Sequence, residues 1–259
     1  MRAQIQRLLN KAGYRIERIR QALPGPSLFV LDYLLYVLNE RRAGAVSFVQ
    51  IGANDGLQED PCRAWISNFP WKGVLVEPQA HLASSLRAMY RHNQRIAVEQ
   101  ALISDKPGSA PLYYLRQSKN TPRWTSGIAS VSKNTISSHR HKIPGFDSLL
   151  EEEIVPAVTF NQLLSKHGIS KFDYLQIDAE GSDYQILKGV EIAKFKPAII
   201  CYEHANLTHE DNSACRELLG SHGYEFASWL GDTVACTREL SLVSEDRAQF
   251  LGVPGTAHR

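Results

Sequence analysis

Cysteine is scarce in this chain: of 259 residues only Cys62, Cys201, Cys215 and Cys236 are cysteines, and no pair has C-x-x-C spacing. That scatter excludes a disulfide framework, and reduced structural thiols in a cytoplasmic protein are expected. Long apolar runs are also missing. The nearest, Leu28 to Leu38, is broken by Asp32 and falls short of the ~20 residues that cross a bilayer, so no transmembrane segment is expected. Apolar residues near the start are spaced rather than contiguous, which argues against a signal peptide. Nor is there an excess of one charge: 29 Lys and Arg face 27 Asp and Glu, for a net +2. Without a basic excess in the body, no nucleic-acid partner is expected.

What charge there is lies unevenly. Residues 1 to 20 hold six basic side chains against Glu17 alone, a charge of +5 that leaves the remainder at −3. In the same stretch Ile5, Leu8, Leu9, Ala12, Ile16 and Ile19 recur at three- and four-residue spacing, the pattern of a basic amphipathic helix. It either packs its apolar stripe on the domain or meets an anionic membrane surface or a partner. Pro24-Gly25-Pro26 ends it, and a second helix is expected over Ser27 to Arg42. Residues 1–45 therefore read as an N-terminal helical extension to a domain at 46–259.

From Val46 the rhythm is strand, helix, strand, helix. Phe48-Val49-Gln50-Ile51 is an apolar strand breaking into Gly52-Ala53-Asn54-Asp55-Gly56, and Gly73 to Val76 is a second strand ending at Glu77. Asp60 can cap a helix carrying Cys62, Trp65, Ile66 and Phe69, and Ile96 to Ser104 reads as a third strand. Strands alternating with helices at this spacing predict a parallel sheet covered on both faces. Between Ser109 and Pro156 the rhythm fails. Pro111 to Leu115 could be a strand, but Ser118 to His141 lacks a clean period, as a substrate loop, a lid or a mobile insertion would. Its His139-Arg140-His141 would need further ligands to hold a metal and is read as solvated. Order returns with a capping box, Thr159 to Gln162, then a strand ending Ile177-Asp178, a helix after Gly181, and a strand delivering Glu203-His204. Tyr224 to Leu230 and Thr233 to Arg238 form a hairpin with Gly231-Asp232 as its turn.

A glycine turn followed by an acidic residue at the next strand's end suits a nucleoside cofactor, since the backbone can approach the ligand and the carboxylate can bind both ribose hydroxyls. On the residues alone a nicotinamide-dependent oxidoreductase competes, although Gly52-x-x-x-Gly56 lacks the G-x-G-x-x-G spacing of pyrophosphate sites. A non-catalytic binding module docking through the basic helix is the other alternative.

The succession Val49-Gln50-Ile51-Gly52-Ala53-Asn54-Asp55-Gly56, Val76-Glu77-Pro78, Ala101-Leu102-Ile103-Ser104-Asp105 and Leu175-Gln176-Ile177-Asp178-Ala179-Glu180-Gly181 resembles the FkbM family of S-adenosylmethionine-dependent methyltransferases, from about Val46 to about Glu203. Ser126-Gly127-Ile128-Ala129-Ser130 looks like the short Gly/Ser motif of such proteins. The resemblance implies an α/β class I methyltransferase, a Rossmann-like seven-stranded sheet with a C-terminal antiparallel hairpin. It also implies S-adenosylmethionine as cofactor and methyl transfer to a hydroxyl oxygen of a sugar, glycolipid or secondary metabolite. Under it the turn of Gly52, Ala53, Asn54, Asp55 and Gly56 faces the methionine moiety, Glu77 binds the ribose, Ala101 and Leu102 border adenine, and Asp178 adjoins the donor.

An acceptor hydroxyl must lose its proton, so a base is needed, and Asp178 and His204 are the leading candidates with Glu180 and Glu203 behind them. Asp178, Glu180 and Glu203 could instead hold a divalent cation that acidifies the hydroxyl. Expected partners are a small-molecule or glycan acceptor, with homo-oligomerisation left open.

Overall fold

The computed structural model describes residues 30–57, 60–117, 121–229 and 231–240, all within one compact unit spanning 29–244. The basic helix expected over 3–20 lies outside the described residues. So does the start of the helix expected from Ser27; its described part is α1, Val30–Arg41. Leu34, Leu35 and Leu38 of α1 are buried in one apolar cluster with Val46, Phe48 and Leu75, so this helix packs on the sheet. Beyond its end Arg42 Nε donates to Asp173 Oδ1 at 2.7 Å, and Ser47 donates to Asp173 Oδ2 through both its N–H and its hydroxyl. No described helix is long and apolar enough to cross a membrane.

The central sheet grows from β1, Ser47–Ile51, which pairs in parallel with β2, Lys72–Val76, on one side and β8, Tyr174–Ile177, on the other. Val49, Ile51, Leu175 and Ile177 face one apolar cluster and Phe48 and Tyr174 the other, so both faces are covered, as a parallel sheet requires. With β3, Ile96–Glu99, β9, Ile199–Glu203, β10, Tyr224–Trp229, and β11, Asp232–Thr237, the strand order is β10-β11-β9-β8-β1-β2-β3. The returning hairpin strand β11 inserts between β9 and β10 and runs antiparallel to both. This is the seven-stranded class I methyltransferase sheet.

Three details differ from the sequence expectation. The strand read over 96–104 is two strands: β3 stays in the main sheet, and after Gln100-Ala101 the chain leaves it as β4, Leu102–Ile103. Asp232 belongs to β11, paired with Trp229, and is not a turn residue. The stretch from 109 to 156 is not mainly irregular. Gly108–Leu115, β5, pairs antiparallel along its whole length with β7, Leu150–Val158, and with β4 and β6, Ala129–Ser130, they make a second sheet. The β7 sequence hides this because Glu151-Glu152-Glu153 and Pro156 both disfavour strand. Its pairing partner supplies what local preference does not.

The capping box is present: Thr159 Oγ1 accepts from Gln162 N–H at 3.2 Å, and Gln162 Oε1 accepts from Thr159 N–H at 3.0 Å. The helix after Asp60, α2, Arg63–Asn68, has Cys62 and not Asp60 at its N-cap; Asp60 Oδ1 holds the preceding turn, accepting from Cys62 N–H at 2.8 Å. All four cysteines are buried with free thiols.

Candidate active site

The carboxyl ends of β1, β2, β8 and β9 open onto one cavity of about 780 Å³. At its floor the β1 strand ends in a tight turn. Gly52 N–H donates to Val76 O at 2.9 Å and Ala53 N–H to the same carbonyl at 3.0 Å, which holds the turn to β2. Gly52 has φ +78°, and a Cβ there would lie 1.7 Å from the Asp178 carbonyl oxygen. The glycine thus serves the approach of β1 to β8 before it serves any ligand. Asn54, at φ 49°, occupies the left-handed region with a side chain, a conformation that asparagine tolerates better than most residues.

Glu77 is 3% exposed, and its two oxygens are each held: Oε2 by Asn54 N–H and Oε1 by Gln79 N–H, both at 2.9 Å. The Gln79 side chain also hydrogen-bonds to this carboxylate, and acceptor capacity remains on it for a ligand hydroxyl. Burial pushes Glu77 up to about 7 despite these hydrogen bonds. The turn and Glu77 fit a nucleoside cofactor on further grounds. Gln50 Oε1 and Asn54 Oδ1 are buried acceptors on the cavity wall with no hydrogen bond, as atoms awaiting a ligand donor would be. Ala101 and Leu102 border the cavity where the chain passes from β3 to β4.

Across the cavity stands a carboxylate cluster. Ligand oxygens of Asp178, Glu180 and Glu203 lie within 4.8 Å of one another. Asn206 Nδ2 bridges two of them, donating to Glu180 Oε2 at 2.7 Å and Glu203 Oε2 at 2.9 Å. Beneath them Asp183, fully buried in α3, Asp183–Lys188, accepts from Ala179 N–H and Glu203 N–H and so ties the end of β8 to β9. Crowding shows in the proton affinities. Burial first, then Glu203 and Asp183, push Glu180 up to about 8; burial and Glu203 push Asp183 up to about 7. Asp178 is raised by burial among protein atoms and by Glu203, Glu180 and Asp183, although its carboxyl group opens to solvent at the cavity mouth, which limits the rise. Asp232, missed by the sequence reading, sits opposite Glu203 in the β9–β11 register and also lines the cavity. Like charges facing each other across a strand pair oppose folding, so such a pair at a cavity points to use.

The irregular segment closes the wall. Gly127 and Ala129 line the cavity, and Ser130 Oγ donates to Glu180 O at 2.8 Å, fixing Glu180 in its left-handed conformation at φ 49°. Two groups of expected site residues are placed elsewhere. Asp55 and Gly56 do not line the cavity: Asp55 Oδ1 accepts from Leu57 N–H, and Gly56 packs beside Leu86. His204 is also absent from the lining; its Nδ1 is 3.0 Å from Thr233 Oγ1, and its backbone N–H donates to Gly231 O. The second case follows from where β9 ends: Glu203 is its last residue and lines the cavity, whereas His204 lies just beyond it, tied to the hairpin through Gly231 and Thr233. His141 is held by Ser138 O, and among the described residues neither it nor His139 joins a group of three metal-type ligands.

Raised folded-state values have a consequence for stability. Glu77 holds its proton more tightly folded than unfolded, so its favourable contribution is complete below its ordinary 4.5 and is lost as pH rises through about 7. Asp183 and Glu180 act in the same sense. Thermal melts of ligand-free protein are therefore expected to fall between pH 5 and pH 8, with Glu77 alone contributing about 3 kcal/mol. A melting temperature constant or rising across that window would contradict this reading of the buried acids.

A class I methyltransferase sheet with a cavity at the carboxyl ends of β1 and β2 defines the class. The Methyltransferase FkbM domain matches residues 50–226, and the chain belongs to that family. No curated protein matches the sequence. Among solved structures it is similar to the methyltransferase FkbM from Methylobacillus flagellatus KT, at 12% identity and a TM-score of 0.49 over 74% of this chain and 44% of that one. This chain thus spans less than half the length of that relative. A methyltransferase from Geobacter sulfurreducens (12% identity, TM-score 0.40, 92% and 88% of the two chains) is also similar. So is the O-methyltransferase from Bacillus cereus in complex with SAH (10%, 0.40, 91% and 90%).

Proposed function

We propose that the protein is a cytoplasmic S-adenosylmethionine-dependent O-methyltransferase acting on a hydroxyl group of a small molecule or glycan, such as a sugar, glycolipid or secondary metabolite. The observation that carries this reading is the pairing, in one cavity, of a doubly anchored Glu77 with the Asp178, Glu180 and Glu203 carboxylates opposite it. When bound, the cofactor supplies an electrophilic methyl group on a cationic sulfur. Glu77 would take the ribose hydroxyls, the Gly52 to Asn54 turn would lie along the methionine moiety, and Ala101 and Leu102 would border the base.

The remaining task, orienting a hydroxyl and removing its proton, falls to the carboxylates. Alignment supplies much of the acceleration in such a displacement, and a positioned base adds ~10²- to 10⁴-fold. Asp178, open at the cavity mouth, is the proposed base, and Glu180 shares the proton that the crowded cluster retains near neutrality. Protons bound by so close a group titrate as a set, so kcat/KM should rise with pH through the neutral and mildly alkaline range rather than near 4.

Calorimetry with S-adenosylmethionine and S-adenosylhomocysteine tests the cofactor, and binding of NADH with neither of them would refute it. Asp178→Asn is expected to lower methyl transfer at least about 100-fold while keeping cofactor affinity within a few-fold. His204→Ala, away from the cavity, is expected to keep most activity. A His204 variant as inactive as the Asp178 one would return the histidine to the base role. A second reading places a divalent cation on Asp178, Glu180 and Glu203, whose oxygens are close enough to share one. Loss of transfer on chelation, restored by Mg²⁺, would favour it.

A further inference from the structure

We infer that Asn206 is a positioning residue of the acceptor site, its side-chain amide clamping Glu180 to Glu203 and leaving Asp178 as the carboxyl group that meets the hydroxyl. This rests on the methyl-transfer reading and adds to it a residue absent from the cavity lining. Asn206 Nδ2 donates to Glu180 Oε2 at 2.7 Å and to Glu203 Oε2 at 2.9 Å, so both hydrogens of one NH₂ group are used. These two acceptors also fix which end of the amide faces them, since the flipped amide would set an oxygen against both. Asp178 has a carboxyl oxygen within 4.8 Å of those of Glu180 and Glu203, yet its carboxyl group accepts no hydrogen bond from another described residue. Two of the three acids are held and the third is not.

The amide can act as a strut because its own loop is fixed by contacts independent of the acids. His204 N–H and Ala205 N–H donate to Gly231 O at 2.7 and 3.1 Å, and Leu207 N–H donates back to His204 O at 3.2 Å. The Asn206 backbone also abuts the loop that carries Glu180: a Cβ on Gly181, which has φ +96°, would lie 3.1 Å from Asn206 O. Ser130 Oγ holds the same loop through Glu180 O at 2.8 Å. Glu180 is thus located from outside its own loop by both backbone and side-chain contacts. Without the amide, Glu180 and Glu203 would face each other with no donor between them, and their side chains would part or swing into the space where Asp178 must receive a hydroxyl. Alignment is the property at stake, so turnover should suffer far more than cofactor affinity.

The test compares full-length wild-type protein with Asn206→Ala and the isosteric Asn206→Asp, which keeps the comparison open if the alanine variant fails to fold. Calorimetry with S-adenosylhomocysteine reads the cofactor end, and a labelled-methyl assay from S-adenosylmethionine to a panel of methyl glycosides reads transfer. Both variants are expected to lower kcat on the order of 100-fold while holding cofactor affinity within a few-fold. Adding Glu203→Gln to Asn206→Ala should restore transfer at least about threefold, because the new amide can donate to Glu180 in place of the lost one. A residue needed only for folding gives no such rescue. Independently of any acceptor, the side-chain ¹H–¹⁵N signals of Asn206 should report the clamp, Glu180→Gln moving one proton and Glu203→Gln the other. Wild-type kcat in a folded variant, no rescue, or signals that neither substitution moves would overturn the positioning role and leave the methyl-transfer reading standing. Wild-type protein that binds neither S-adenosylmethionine nor S-adenosylhomocysteine would overturn both. With cofactor bound but no panel member methylated, the hydroxyl-acceptor reading loses its support and the Asn206 signals alone decide the clamp.

Discussion

Gly52→Ala is expected to abolish measurable S-adenosylhomocysteine binding and to lower stability by roughly 3 kcal/mol or more. Two independent penalties meet at this residue. Its φ of +78° disfavours any side chain, at a cost of order 1–3 kcal/mol. The added Cβ would also lie 1.7 Å from the Asp178 carbonyl oxygen, a backbone atom that no rotamer change can move. Either the turn lifts, breaking the Gly52 and Ala53 hydrogen bonds to Val76 O, or the end of β8 is displaced and carries Asp178 with it. Both outcomes damage the cofactor wall and the carboxylate cluster together. Urea unfolding followed by calorimetry reads the two effects separately, and near-native stability with native binding would show that the close approach of β1 and β8 is not required. Gly56→Ala shares the backbone penalty, at φ +66°, but not the second, because its nearest obstacle is the end of the Leu86 side chain, which can rotate. Its effect on binding should be smaller.

Glu77→Ala is expected to weaken S-adenosylhomocysteine binding at least 100-fold, about 2.7 kcal/mol, consistent with hydrogen bonds to a charged acceptor at roughly 1.5–3 kcal/mol each. Part of this loss would be indirect. Both carboxylate oxygens hold backbone N–H groups, those of Asn54 and Gln79, and alanine leaves these donors unpartnered beside a buried space. The Asn54 turn would then relax, removing a second element of the pocket. Glu77→Gln separates the contributions. The amide keeps the volume and one acceptor, yet it must present an NH₂ to one of the two N–H groups, so it should bind with intermediate affinity. Calorimetry on the three proteins checks the order, and equal affinity in all three would remove Glu77 from the ribose role.

These effects meet where the chain order could not show it. Glu203 and Asp232 are 29 positions apart by number and adjacent only because β11 turns back into the sheet between β9 and β10. Nothing local to Asp232 marks it as part of a site. Asp183 likewise reads as an acidic residue in the first turn of a helix, a common stabilising placement. Only its bonds to Ala179 and Glu203 reveal it as the tie between two strand ends.

The sequence alone determined the alternation of strand and helix, the capping box at Thr159, the turn at Gly52 and the acid at Glu77, because each depends on local pattern: apolar period, glycine position and capping chemistry. The same local signals were enough for the family resemblance, which the domain match over 50–226 supports. Tertiary structure decided what depends on pairing at a distance. It broke the 96–104 stretch into two strands, made a strand of the glutamate-rich β7, turned His204 away from the cavity while Glu203 faced it, and gathered acids from β8, β9 and β11 into one wall. A strand's face and neighbours are set by the sheet that receives it, and that information lies in the partner strands, outside the segment itself.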